Sequence, residues 1–275
     1  MSRKRLTQRF PFLLPIRHAQ RKICFYTGMR FDGCRYAQEI DEKLLPHSLF
    51  KADCALYNRN TGFDMVYQEN KVFNLKLAAK TLNGLLIKPG ETFSFWWLVR
   101  HADKNTPYKD GLMVANGKLT TVSGGGMCQM SNLLFWMFLH TPLTVTQRNG
   151  HEVKEFPEPN SDEIKGVDAT ISEGWIDLKV QNNTDCTYQI AITFDDEKII
   201  GQVFADKQPQ VRYRVVNGDI RYFRERDGIY EYADVERIDI TADTGETADR
   251  TLLYTNKCKI CYTIPEHVKI QEANK

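Results

Sequence analysis

The sequence predicts an α+β fold in which helices come first and antiparallel strands follow. Apolar residues recur at helical spacing up to residue 87, short β-like runs dominate from Val145 onward, and the two patterns do not alternate. With 275 residues, 42% of them hydrophobic, the chain can form one large domain or two small ones, and intrinsic disorder is excluded for most of it. We expect a helical N-terminal part, with a central glycine-turn and helix element packed on an antiparallel, β-rich C-terminal part.

The N-terminal segment is strongly basic. Residues 1–35 contain nine lysines and arginines against one acid, Asp32, so they carry +8 while the remainder carries −6. Each basic residue near an anionic membrane contributes about 1 kcal/mol, and the apolar residues between Phe10 and Ile16 could sit at the interface. A basic helix packed on the body explains the segment equally well. Nucleic acid is not an expected partner, because no basic stripe interleaved with aromatics recurs later.

Composition also bears on location. No run approaches the roughly 18 to 20 apolar residues of a membrane-spanning helix. The apolar stretch at residues 10–16 is short, is interrupted by two prolines and lacks a small-residue cleavage site, so we expect no signal peptide. Seven cysteines at irregular spacing do not form a secreted disulfide framework. We therefore predict a cytoplasmic protein, either free or peripheral to the membrane.

Local patterns predict the elements in order. Residues 71–87 have helical apolar spacing, and Lys88-Pro89-Gly90 should stop that helix. Residues 92–95 alternate as a strand with both phenyl rings inward, and a polar loop starting at Trp96-Trp97 follows. Asn116-Gly117 predicts a hairpin between residues 112–115 and 118–122. The first third as a whole is expected to be helical.

A glycine triplet leads from this hairpin into a predicted helix over residues 127–140, which is polar only in its first turn. Beyond it, β-like patterns predict strands over residues 169–172, 176–180, 188–194, 199–204, 210–216, 220–222 and 259–264.

The triplet Gly124, Gly125 and Gly126 is the clearest candidate for a functional turn. Three glycines let the backbone turn sharply and leave room for close approach. Cys128 falls in the first turn of the following helix, where the positive end of the dipole favours a thiolate. The same amides could hold an anion such as a phosphate, pyrophosphate or carboxylate, or the turn could only permit tight packing.

A nucleophilic thiol needs a base and a group that orients the base. His151 and Asp168 follow in the chain order of papain-like and transglutaminase-like enzymes, although order alone is an analogy. Gln129 could assist the backbone amides in stabilising an oxyanion. The expected catalytic group is therefore Cys128, His151, Asp168 and Gln129.

Other candidates are weaker. Cys258 and Cys261 have metal-ligand spacing, but no second pair is in register, so we expect no metal site and no cofactor. The Trp96-Trp97 pair suits a core position, although polar neighbours leave a ligand-facing edge open. The remaining histidines, including His140, are expected at helix ends or on the surface.

Several of these motifs together resemble the VanW family over residues 70 to 205. A Pro-Gly-Glu-x-Phe-Ser-Phe-Trp segment is followed by the glycine triplet and Cys-Gln-x-Ser. The residues that carry the resemblance are those at 75–80, 88–96, 124–132 and 139–140, with Tyr108, Gly111, Trp136, Arg148 and His151. The chain departs from the family pattern at Arg100, Pro107 and Asn149, where we expect two glycines and a histidine.

The resemblance implies a context more than a reaction. The family is named from accessory proteins of B-type vancomycin-resistance clusters, which implies a link to bacterial cell-wall (peptidoglycan) precursors or to the response to glycopeptides. We accordingly expect three regions: a basic helical extension (1–66), a VanW-like core (67–206) and a β-rich C-terminal region (207–275). Two functions follow as hypotheses: a thiol-dependent amide hydrolase or transferase, and a non-catalytic module that binds an anionic cell-wall precursor, a peptide-like molecule or a partner protein. In both, the ligand would contact Gly124, Gly125, Gly126, Ser131 and Trp96.

Overall fold

A computed structural model of the chain describes residues 10–59, 62–115, 118–154, 164–265 and 268–272. The architecture is mixed α+β and rich in strands, which confirms the predicted fold class. A 3-10 turn, Pro11–Leu13, precedes the helices α1 (Leu14–Phe31), α2 (Val66–Ala79), α3 (Phe95–Val99) and α4 (Met127–Leu139). The strands are β1 (Arg35–Tyr36), β2 (His47–Ala55), β3 (Leu86–Ile87), β4 (Glu91–Ser94), β5 (Asp110–Ala115), β6 (Lys118–Ser123), β7 (Thr144–Gln147), β8 (Val153–Lys154), β9 (Lys179–Gln181), β10 (Tyr188–Phe194), β11 (Lys198–Ala205), β12 (Val211–Glu225), β13 (Gly228–Thr241), β14 (Thr247–Ile260) and β15 (Ile270–Glu272).

The strands form three sheets and a separate hairpin. One sheet has the order β2-β11-β10-β3 and is antiparallel throughout, and a second has the order β1-β4-β9-β7. The third, β15-β12-β13-β14-β8, is built mainly from the long C-terminal strands, and among the described residues β5 pairs only with β6. Eight of the eleven strand pairs among the described residues are antiparallel, so the topology is largely that of an antiparallel protein.

Helix α4 lies at the centre of the apolar core. Nine of its thirteen residues are buried, and the helix packs on the sheet that contains β2 and β11. A Cβ added at Gly201 of β11 would overlap the side chain of Met137, so the strand and the helix approach closely at that glycine. Phe138 packs against Phe93 of β4 with ring centroids 5.0 Å apart. Burial of each such large side chain contributes about 1.5–3 kcal/mol, so this helix is held firmly by its surroundings.

The N-terminal third is less helical than predicted. Helix α1 agrees with the expectation, but residues 32–65 contain β1 and β2 instead of helix. Strand β2 pairs with β11 along eight residues, so residues 47–55 form an edge strand of the core sheet. Tertiary pairing decides this, because β2 gains hydrogen bonds and a half-buried face only once β11 is in place. The prediction of a wholly helical extension over residues 1–66 is therefore wrong for its second half.

Three local predictions also need correction. The helix expected over residues 71–87 spans Val66–Ala79, and the chain turns at Gly84, which has φ +81° and lies against the carbonyl of Asp41. The loop expected from Trp96 is the short helix α3, capped by the Ser94 hydroxyl, which accepts from the amide of Trp97. Residues 169–172 make isolated bridges in place of a strand.

Other predictions hold. Phe93 and Phe95 are both fully buried, and α4 spans Met127–Leu139. Strands β5 and β6 form the expected hairpin, while its predicted turn residues, Asn116 and Gly117, lie outside the described residues. No helix in the described ranges is both long and apolar enough to span a membrane.

One further prediction needs correction. The strands expected over residues 210–216 and 220–222 are one strand, β12, with an irregularity between Asn217 and Ile220, so the predicted break between them is wrong.

Candidate functional site

The glycine triplet sets the entrance to helix α4. Gly124 has φ +76° and Gly126, the N-terminal cap residue, has φ +94°, a conformation that glycine adopts with little strain. The first amides of a helix have no acceptor inside it, and here Gln129 N donates back to Gly126 O at 3.1 Å. Cys128 lies in this first turn, half-buried, as the sequence predicts.

Each glycine of the turn is closely packed. The ring of Tyr108 lies 3.5 Å from the position of a Cβ on Gly124. A Cβ on Gly125 would overlap the backbone of Gly111, and one on Gly126 would overlap the stem of Lys71. The triplet therefore allows two backbone segments and the side chain of Lys71 to meet at the start of helix α4. A ligand bound at this turn would have to fit beside these contacts.

The polar residues of the first turn of α4 hold the segment at residues 168–171. The sulfur of Cys128 lies 3.7 Å from Thr170 Oγ1 and donates to Ile171 O at 3.9 Å. Ser131, which is completely buried, donates to Ala169 O at 2.5 Å, and Asn132 Oδ1 accepts from Ala169 N at 2.7 Å. The sulfur is therefore held against residues 170–171, and a nucleophilic role would need a base within reach of this segment.

His151 and Asp168 are in direct contact. Oδ2 of Asp168 accepts from the backbone N of His151 at 2.7 Å and also bonds to its ring Nδ1. Arg148 Nη2 donates to the other oxygen, Oδ1, at 2.6 Å, and Arg148 Nε donates to Asp168 O at 2.5 Å. The carboxylate thus bridges a guanidinium and an imidazole, and an Nδ1–H tautomer leaves Nε2 of His151 free to accept a proton.

The two titrating groups shift each other's pKa. The hydrogen bond to Asp168 raises the pKa of His151 above its usual value, although burial and the charge of Arg148 oppose this. Burial alone would raise the pKa of Asp168, but the hydrogen bond from His151 and the charge of Arg148 outweigh it, so the pKa of Asp168 lies below its usual value. An ionised carboxylate beside a basic imidazole is the arrangement that orients a general base.

An antiparallel bridge explains how these residues meet. Thr170 pairs with Asn149, its amide donating to Asn149 O at 2.7 Å. Two residues further along each segment, the same register places His151 opposite Asp168, and residues two apart on extended backbone lie roughly 7 Å apart. Within the described part of the chain, the hydrogen bonds of Cys128 run to Thr170 and Ile171 and not to His151. The structure therefore joins His151 to Asp168. It places Cys128 beside Thr170 and Ile171, two and three residues further along the segment that contains Asp168.

The remaining predicted site residues have partners of their own. Gln129 Nε2 donates to Ala55 O at 2.6 Å at the end of β2, and would have to leave that carbonyl to bind an oxyanion. The hydroxyl of Ser131 donates to Ala169 O and to Cys128 O. Trp96 Nε1 donates to Ile176 O at 3.0 Å.

Three residues around this site had no predicted role in it, although Arg148 and Tyr108 belong to the motifs that resemble the family. Arg148 makes four hydrogen bonds and stacks over Tyr254 at 4.7 Å, but a lone arginine on a predicted loop gives no such signal. Lys71 lies across the glycine turn, and burial lowers the pKa of its ammonium to about 8. Tyr108 has a buried hydroxyl for which the described residues provide no hydrogen-bond partner.

The cysteines outside the turn do not converge. None of the seven forms a disulfide in the described structure, and Cys258 is buried with its sulfur 3.9 Å from Glu231 Oε1, while Cys261 is exposed. No group of three or more histidine, cysteine, aspartate or glutamate side chains in the described ranges is placed to hold a metal ion.

Comparisons with known proteins agree with the motifs. A family model described as VanW like protein matches residues 70–204. The chain is 81% identical over 274 residues to the Vancomycin B-type resistance protein VanW of Enterococcus faecalis (strain ATCC 700802 / V583), with 100% of both chains covered. It is 34% identical over 150 residues to the Uncharacterized protein YoaR of Bacillus subtilis (strain 168), covering 52% of this chain and 45% of YoaR. No solved structure matches the chain. On the full-length similarity and the family match together, the chain belongs to the VanW family.

Proposed function

We propose that this protein acts in bacterial resistance to glycopeptide antibiotics such as vancomycin. The observation that carries this is the 81% identity, along the whole of both chains, to a protein named for vancomycin B-type resistance. The test uses a resistant bacterial host in which the gene for this protein is deleted and then reintroduced. Deletion should lower the minimal inhibitory concentration of vancomycin and wild-type protein should restore it, whereas an unchanged value on deletion contradicts the proposal.

Within that role we propose a thiol-dependent hydrolase or transferase that acts on an amide of a peptide-like cell-wall intermediate. The Asp168 carboxylate supports it, because it binds both Arg148 and the ring of His151 and so fixes the imidazole with Nε2 available. The sulfur of Cys128 lies beside the same segment, through Thr170. Catalytic hydrogen bonds are often long before substrate binds, so Cys128 and Nε2 need to meet only in the complex.

The chemistry would proceed in two steps. In the first, Cys128 Sγ bonds to the amide carbonyl carbon while its proton passes to His151 Nε2. That proton then moves to the departing nitrogen as the carbon–nitrogen bond breaks, which leaves a thioester. In the second step, water or a second amine attacks the thioester carbon, and the thiol is restored. Water as the attacking group gives hydrolysis, and an amine gives transfer.

Alkylation of the thiol tests the enzyme directly. We expect iodoacetamide to modify Cys128 at pH 6 faster than the exposed thiols of Cys24, Cys34 and Cys261, which serve as internal controls in peptide mass spectrometry. His151→Gln should reduce the rate at Cys128 to that of the controls. A Cys128 thiol that stays inert until pH 8 or above contradicts this mechanism.

The second candidate function is binding without chemistry, and the Tyr108 hydroxyl favours it. That hydroxyl is buried and has no partner among the described residues, while the inner edge of the same ring packs on Gly124. A ligand carbonyl, carboxylate or phosphate that reaches it would satisfy it. An N-acylated dipeptide with a free carboxylate and inorganic pyrophosphate are the probes. A binding module should hold one of them in the Cys128→Ala variant and bind it about fivefold to tenfold more weakly in Tyr108→Phe. Unchanged binding in Tyr108→Phe removes the support for this alternative.

Location is part of the proposal. We place the protein in the cytoplasm, where its seven cysteine thiols would stay reduced and precursors of the cell wall are made before export.

A further inference from the structure

Helix α1 rests on the rest of the protein through one face. Lys22 forms an ion pair with Glu173, and the hydroxyl of Tyr26 donates to Glu173 Oε1 at 2.9 Å. Met29 is the one residue of α1 that is buried, at 4% exposure. Positions 22, 26 and 29 are three and four residues apart and therefore share a side of the helix. The orientation of α1 is fixed by these contacts.

A second face of α1, about a quarter of a turn around the helix axis from the first, carries a row of large apolar side chains in solvent. Ile16 and Ile23 are 65% and 66% exposed, and Phe12, in the turn that precedes the helix, is 72% exposed. Their spacing of four and seven residues aligns them along one side, away from Lys22, Tyr26 and Met29. Single exposed apolar residues are common, but an aligned row marks an interaction surface. We call Phe12, Ile16 and Ile23 the apolar row.

The charge around this row decides what covers it. Residues 10–35 contain five lysines and arginines and one acid, Asp32, whose carboxylate is already paired with Lys179 at 3.3 Å. Residues 1–9 add four more basic side chains in sequence. A second copy of the chain would bring the same excess of positive charge to the contact and would be repelled. An anionic surface with an apolar interior is complementary to both features.

We propose that α1 is an interfacial helix that docks the protein on a bilayer containing anionic lipids. The apolar row would enter the boundary between headgroups and acyl chains, and the basic side chains beside it, such as Arg17, would lie against the headgroups. The face that carries Tyr26 and Met29 stays on the protein, so docking needs no unfolding of α1. This inference does not depend on the proposed chemistry at Cys128.

Vesicle sedimentation of the full chain tests the proposal. Wild-type protein should sediment with vesicles of phosphatidylcholine and phosphatidylglycerol, and less with phosphatidylcholine alone, and added salt should weaken binding. Phe12→Ser, Ile16→Ser and Ile23→Ser should each lower the partition coefficient about tenfold. Arg17→Gln should lower it about fivefold on anionic vesicles and leave it unchanged on neutral ones.

Leu252→Ser is the matched control, since Leu252 is a 55% exposed residue of β14 outside the apolar row. It should bind vesicles as wild type does. All four serine variants alter exposed side chains, so their thermal midpoints should match that of wild type, which separates a binding defect from unfolding. Two results would overturn the proposal: equal wild-type sedimentation with both vesicle types, or serine variants that dissociate a dimer in ultracentrifugation while vesicle binding is unchanged.

Discussion

The two ends of helix α4 show what decides the chemistry of a histidine in this fold. Beyond the N-terminal end, His151 is half-exposed and bonds to the carboxylate of Asp168, and its pKa is raised by that hydrogen bond. At the C-terminal end, His140 is 7% exposed and stacks on Phe50 with centroids 3.7 Å apart, and burial lowers its pKa to about 4. The partner group and the degree of burial, and not the residue type, therefore make one imidazole basic and keep the other neutral.

The same contrast separates function from packing. An imidazole with Nε2 accessible and a raised pKa can exchange a proton near neutral pH, as the proposed chemistry requires. His140 instead donates from Nδ1 to Trp136 O at 2.9 Å and closes the end of the helix in neutral form. Both histidines belong to the motif that resembles the family, but only His151 has the surroundings of a general base.

The largest expected effect tests whether the glycine turn at the N-terminal end is a packing device. In Gly125→Ala the new Cβ would overlap the backbone of Gly111, which cannot move without disturbing the β5–β6 hairpin. We expect a loss of about 3 kcal/mol in the free energy of unfolding, measured by urea denaturation. Gly124→Ala is the control, since its Cβ would contact Tyr108 at an ordinary 3.5 Å and its positive φ costs about 1 kcal/mol. Equal losses in the two variants would show that backbone contact with Gly111 is unimportant.

The second prediction concerns the C-terminal end. Folding lowers the pKa of His140 from about 6.5 to about 4, so the unfolded chain binds more protons between those values. The stabilisation is complete above pH 6.5 and is lost as pH falls toward 4, by roughly 3 kcal/mol at most. His140→Asn keeps an amide donor for Trp136 O but does not titrate. We expect its stability to decline less than that of wild type over this range, and parallel curves would contradict the assignment to His140.

The sequence predicts those elements whose structure is decided by nearby residues, and it misses those decided by residues far away along the chain. Helix α4 and strand β10 are predicted closely because their apolar patterns are continuous and local. Strand β12 is not, because Asn217-Gly218-Asp219 has the composition of a turn but forms an irregularity inside one long strand paired with β13. Strand β2 is missed because its structure comes from pairing with β11, almost 150 residues later.

The candidate site divides in the same way. The position of Cys128 at a helix start follows from the local glycine and apolar patterns, and chain order suggested His151 and Asp168. The bridge between Asn149 and Thr170 that sets their register leaves no periodic signal, since each segment contributes only one paired residue. The contacts of Arg148 are missed for a similar reason, because its carbonyl and carboxylate partners lie on residues 166 and 168 and at Asn256. Long-range polar contacts of single residues are the part that sequence patterns do not encode.

The smallest expected effect is a shift in a single pKa, and it tests the environment of His151. Asp168→Asn removes the negative charge that raises the pKa of His151 and replaces one carboxylate oxygen by an amide nitrogen, so we expect that pKa to fall, measured by NMR of the imidazole protons across pH. A raised histidine pKa stabilises the fold below the ordinary value of about 6.5 and ceases to do so as pH rises through the raised value. The share of the stability loss that comes from His151 should therefore appear mainly on the acid side of neutrality. The His151 side chain is 48% exposed, so solvent screening should keep its own share of that loss below about 1 kcal/mol.

Glu152→Gln provides the control, since it removes one negative charge next to His151 without changing the hydrogen bond to Asp168. A similar fall of the His151 pKa in both variants would mean that general negative charge, and not the Asp168 hydrogen bond, sets the basicity of this imidazole.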